Sequence, residues 1–89
     1  MVSQRVRITN PSGLHLRPAG IFCEKAMLYT SDITFEYRGG NSGNAKSVLS
    51  ILGACVRCGD EITIICDGED EAEALRGMIR VVEDGFGEE

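Results

Sequence analysis

Residues 5–27 read "RVRITNPSGLHLRPAGIFCEKAM", and a change of period inside them sets the architecture. In "RVRIT", residues 5–9, Val6 and Ile8 alternate with Arg5 and Arg7, the two-residue repeat of a strand with one face on a core. "NPSG", residues 10–13, is loop chemistry. Beyond it Ala19, Phe22, Cys23, Ala26 and Met27 recur at the i, i+3, i+4, i+7, i+8 spacing of one helical face, which predicts a helix over about 16–28. Pro18 limits where that helix begins, because its ring would strike the carbonyl of a helical Leu14; the helix therefore starts near His15. In the first turn the missing proline N–H costs little, since those amides have no intrahelical partner.

In "DITFEYRGGN", residues 32–41, Ile33, Phe35 and Tyr37 alternate with Thr34, Glu36 and Arg38, and Gly39–Gly40 supply the positive φ values of a hairpin. "NSGNA", residues 41–45, is poor in strand formers and predicts a short, irregular edge strand. Ser47 has the place of an N-cap before "VLSIL", a helix too brief to be stable alone, which Gly53 ends. "DEITIICDG", residues 60–68, puts Ile62, Ile64 and Cys66 on one face of a further strand. Asp70 with Glu73 reads as a capping box, followed by the stripe Leu75, Met78, Ile79, Val82. The order β-α-β-β-α-β-α predicts an α+β fold: an open-faced β-sandwich whose four-stranded, mostly antiparallel sheet is covered on one face by three helices.

The 89 residues suffice for one domain over 1–89 with one modest core. Nine Lys and Arg against fourteen Asp and Glu give a net charge of −5, with acids gathered in "DGEDEAEAL" and "EDGFGEE". A surface of that sign argues against nucleic acid and anionic membranes as partners. No apolar run approaches the ~20 residues of a membrane span, and no export signal opens the chain, so a cytoplasmic location is expected. The four cysteines are then expected as reduced thiols. Cys55 and Cys58 form a C-x-x-C pair, but neither a second pair nor two nearby histidines complete a zinc site, and no metal is expected.

His15 is the only histidine. A helix N-terminus offers free N–H donors and partial positive charge, which suit an anion and disfavour a protonated imidazole. Such a histidine stays neutral and nucleophilic near pH 7. Arg17, two residues on, carries the side chain best shaped to hold phosphate oxygens. The residues fit a site where phosphate is covalently accepted; they equally fit a helix cap beside a solvated charge.

"GLHLRPA", residues 13–19, resembles the G-L-H-x-R-P-A motif of HPr, the histidine-containing phosphocarrier of the bacterial phosphoenolpyruvate:sugar phosphotransferase system. The resemblance extends to length, element order, "NAKSVLSIL" at 44–52, "GDEITI" at 59–64 and "GEDEAEAL" at 68–75. It implies that His15 takes a phosphoryl group on Nδ1 from phosphorylated enzyme I and passes it to sugar-specific IIA components, with Arg17 steadying the charge. It implies a monomeric carrier without cofactor or metal rather than a stand-alone enzyme. Lys46–Ser47 matches the target of the HPr kinase/phosphorylase, whose product acts with a catabolite-control transcriptional regulator. Leu16, Gly20, Val48, Leu49 and Leu52 fall where the family meets its partners.

The chain departs from the pattern in four places. Leu16 stands where Ser, Thr or Ala is usual, and Gly20 loosens the first helix by up to ~1 kcal/mol relative to alanine. "RGGNSGNAKS", residues 38–47, runs one residue long, and the cysteines match no family site. A rival reading follows: a regulatory HPr-like protein acting mainly through phosphorylated Ser47. Carrier-inactive relatives lack the histidine that this chain keeps. A thiol–disulfide protein using Cys55 and Cys58 is a third reading, and it lacks the β-α-β context.

Overall fold

A computed structural model describes residues 1–87. The chain runs β1 (Val2–Arg7), α1 (Leu16–Ala26), β2 (Asp32–Tyr37), β3 (Asn41–Asn44), α2 (Val48–Gly53), β4 (Glu61–Asp67) and α3 (Glu71–Glu83), and closes on a 3-10 turn at Gly85–Gly87. The sheet order is β1-β4-β2-β3 with every pairing antiparallel. The α+β, open-faced sandwich expected from the sequence is the observed fold. Glu88 and Glu89, which end the acidic "EDGFGEE" and the expected 1–89 span, lie outside the described residues.

One face of the sheet carries Val6, Ile33, Phe35, Ile62, Ile64 and Cys66, all buried against Phe22 and Ala26 of α1 and Met78 and Val82 of α3. Phe22 stands edge-on to Phe35 at 6.0 Å and to Phe86 at 6.1 Å, the arrangement ring quadrupoles favour. Arg5, Arg7, Glu36 and Glu61 occupy the other, open face. The 3.6 Å Arg7–Glu61 pair there is exposed and adds little stability.

Three expectations need correction. β1 spans Val2–Arg7 rather than 5–9, because β4 pairs with it from Val2↔Cys66 to Arg7↔Glu61. Ile8 is buried beyond the strand's end, where its N–H donates to the Asp60 carbonyl and its own carbonyl accepts from Gly59. α1 stops at Ala26 and leaves Met27 63% exposed. The amides of Leu28 and Tyr29 fall back on the i−3 carbonyls of Lys25 and Ala26, a tightened turn that ends the α-helical ladder there.

The capping box is the third. Asp70 occupies the N-cap of α3 but makes no side-chain cap bond. Its carboxylate instead accepts from the Thr30 and Ser31 amides, each at 2.9 Å, and from the Ser31 hydroxyl, fastening the α1–β2 loop to α3. Those bonds, the Ser31 hydroxyl foremost, pull its pKa down to about 2. A carboxylate depressed in the folded state stabilises the fold above its unfolded pKa of ~3.9 and ceases to do so as pH falls through its folded value. Asp70→Asn is therefore expected to be less stable than wild type at pH 7, with the gap closing between about pH 4 and pH 2. Urea denaturation at both ends of that window checks this; a gap that does not change with pH would contradict it.

The poor strand chemistry of β3 has a packing reason. Gly43 faces Phe35 in the register, and a Cβ there would lie 2.5 Å from Phe35 Cζ, so the missing side chain is the space the ring fills. The same register, Phe35↔Gly43 and Tyr37↔Asn41, leaves Arg38, Gly39 and Gly40 as the turn, all at positive φ.

Candidate functional site

The site is assembled from Gly13 outward. Its φ is +63°, and a Cβ at this position would lie 2.6 Å from the Val56 carbonyl oxygen and 2.8 Å from Arg57 Cα. Only glycine lets the loop before α1 lie flat on residues 56–57. Leu14 N–H then donates to Val56 O at 3.0 Å, while Asn10 Nδ2 donates to the Gly13 carbonyl at 2.9 Å. With Leu14 buried, the next residue is held at a fixed place on the surface.

That residue is His15, the N-cap of α1, with extended backbone at φ −84° and ψ −168°. Its carbonyl accepts from Ala19 N–H at 2.8 Å, but its ring makes no capping bond and is exposed. The imidazole is thus presented at the helix start without being occupied there. Arg17 is exposed in the same turn and forms no ion pair among the described residues, and Pro18 is buried behind them.

A groove of about 480 Å³ runs beside the ring, lined by Ser12, Leu14, His15, Leu52, Cys55, Val56 and Arg57. Leu52 brings the end of α2 to it. Cys55 sits at φ +52°, uncommon for a residue with a side chain, and its carbonyl accepts from the guanidinium of Arg38 at the hairpin tip. Arg57 N–H donates to Asp60 Oδ2 at 2.9 Å, which sets the next turn. Sequence reasoning missed Arg57 and Arg38, since only the tertiary fold carries Arg57 to the groove and the Arg38 guanidinium to the Cys55 carbonyl.

Of the other expected residues, Leu16 is 67% and Leu49 82% exposed, and Val48 is also exposed, an apolar display on α1 and α2. Gly20 is half-buried with open space where a Cβ would stand. Ser47 is the N-cap of α2, its hydroxyl accepting from Ser50 N–H at 3.2 Å. Beside it Lys46 Nζ donates to the Tyr29 carbonyl at 2.8 Å and ties the end of α1 to the start of α2. The thiols of Cys55 and Cys58 turn to different carbonyls, Leu52 O and Thr9 O. Cys66 is buried, and that burial pushes its thiol up to about 11, which makes it an inert core residue.

A family model described as "PTS HPr component phosphorylation site" matches residues 2–84. The chain belongs to the HPr family. Among HPr-family proteins, it is 39% identical to the HPr-like protein Crh of Bacillus subtilis over 84 residues, covering 94% of this chain and 98% of Crh. It is 34% identical to the phosphocarrier protein HPr of Treponema pallidum over the whole of both chains. The crystal structure of HPr-C-His from Thermoanaerobacter tengcongensis superposes with a TM-score of 0.95 at 35% identity, covering 100% of this chain and 99% of that one. A 1.8 Å crystal structure of B. subtilis Crh, described as a swapped dimer, superposes at 0.75 with 39% identity and coverage of 96% and 97%. No helix among the described residues of this HPr-family chain is long and apolar enough to cross a membrane.

Proposed function

We propose that the chain, acting as one cytoplasmic domain over residues 1–89, carries a phosphoryl group on His15 from phosphorylated enzyme I to sugar-specific IIA components of the phosphotransferase system. The observation that carries this reading is the unoccupied imidazole at the N-cap of α1 with Arg17 in the same turn. An imidazole nitrogen lone pair attacks phosphorus as the bond to the partner's nitrogen breaks, and the reverse step delivers the group onward. In this reading free first-turn amides and the Arg17 guanidinium share the charge of the oxygens, so this domain contributes position and electrostatics. An exposed ring suits both exchanges, because a docked partner supplies the exclusion of water.

Leu16, Gly20, Val48, Leu49 and Leu52 form the face a partner covers. Leu49→Asp is expected to lower kcat/KM for transfer about tenfold, with an unchanged melting temperature because the side chain packs on nothing inside. Normal transfer by that variant would remove Leu49 from the face.

The 39% identity to Crh favours a second reading, regulation through phosphorylated Ser47 by the HPr kinase/phosphorylase and a catabolite-control transcriptional regulator. Phosphate there would add charge next to the exposed Val48 and Leu49. The carrier is taken as a monomer, although the swapped dimer of Crh shows that a relative assembles otherwise. One pair of reactions tests both readings. Phosphoenolpyruvate with enzyme I should place acid-labile phosphate on the protein; its absence on folded protein, with enzyme I active on another carrier, would refute the carrier reading. ATP with the kinase should label wild type and spare Ser47→Ala, and equal labelling would refute the regulatory one.

A further inference from the structure

Arg57 stands in the wall of the groove that His15 lines. The backbone brings it there by a contact no side chain separates, since Arg57 Cα lies 2.8 Å from where a Cβ of Gly13 would be. The turn around it is held from both sides: Asp60 Oδ2 accepts from its N–H, and Asp60 N–H donates back to its carbonyl at 3.0 Å. Its guanidinium is exposed and forms no ion pair among the described residues, in a chain with fourteen acidic side chains against nine basic ones. Arg17, in the first turn of α1, does not line this groove, whereas Arg57, in the segment between α2 and β4, does.

The geometry points to Arg57 as a second phosphoryl-binding residue, whose guanidinium engages the oxygens of the group carried on His15. This rests on the reading of His15 as the phosphorylated residue. The planar fork matches two phosphoryl oxygens, and its charge opposes loss of the group in two ways. It offsets the pull of the dianion on a proton at the other ring nitrogen, which hydrolysis needs to expel imidazole. It also favours the oxygens while they bear the charge that a loose transition state moves to the leaving nitrogen.

The test needs no protein partner. Potassium phosphoramidate phosphorylates the single histidine: a ring nitrogen bonds to phosphorus, the P–NH2 bond breaks, and the ring N–H proton leaves with ammonia. Hydrolysis of the isolated phosphoprotein to inorganic phosphate is then timed for wild type, Arg57→Gln and Arg57→Lys. Arg57→Gln should shorten the half-life two- to fivefold at low salt, the scale of an exposed ion pair, with Arg57→Lys in between and the gap narrowing in high salt. Equal half-lives would overturn the proposal, whether transfer to IIA is unaffected or loses only in KM, which would assign Arg57 to partner contact. Failure of enzyme I to label His15 would refute the carrier function and leave the half-life comparison standing.

Discussion

His15→Ala should abolish acid-labile phosphorylation from phosphoenolpyruvate and enzyme I, a loss of at least a thousandfold, while shifting folding stability by less than about 0.5 kcal/mol. The separation of the two effects is what the structure adds. The ring makes no capping hydrogen bond, packs into no core and is exposed, and the one contact His15 gives α1 runs through its carbonyl, which alanine retains. The chain has no second histidine to take over the group. Incorporation of labelled phosphate, read beside urea denaturation, checks both halves. Label on the alanine variant would place the chemistry elsewhere, whereas a large loss of stability would restore the plain helix-cap reading.

Gly13→Ala should cost about 2–4 kcal/mol of stability and lower transfer more than tenfold. Alanine at φ +63° is strained, and its methyl would meet backbone, the Val56 carbonyl at 2.6 Å, which cannot swing aside as a side chain can. Relief requires the loop to lift from residues 56–57, breaking the 3.0 Å bond from Leu14 to Val56 and opening the groove on which His15 borders. A lower urea midpoint with transfer reduced at saturating partner supports this account. Unchanged midpoint and kcat would mean that the close approach at Gly13 does not hold the site.

The helical stripe of α1 and the alternation in β2 and β4 were legible because burial on one face imposes a period, and the core follows it through Phe22, Ala26, Ile33, Phe35, Ile62 and Ile64. Pro18 likewise located the helix start, a steric rule that acts within one turn. Element ends were less legible. Where β1 begins depends on how far β4 extends beside it, and where α1 stops depends on the i−3 bonds of its last turn. Asp70 shows the same limit: its spacing to Glu73 fits a cap, yet its carboxylate was taken by amides 39 and 40 residues earlier in the chain.

By itself, then, the sequence determined the order of elements, the placement of a lone histidine at a helix N-terminus with an arginine in its first turn, and the serine that caps α2. These depend on φ limits, hydrophobic period and capping, all local within a few residues. Only the tertiary structure decided that Gly13 is pressed on Val56, that Arg38 holds the carbonyl of Cys55, and that Arg57 shares a groove with His15. Those meetings join residues 17 to 43 apart along the chain, and no local rule reaches that far; they are set by how α1, α2 and the β2–β3 hairpin pack around one core.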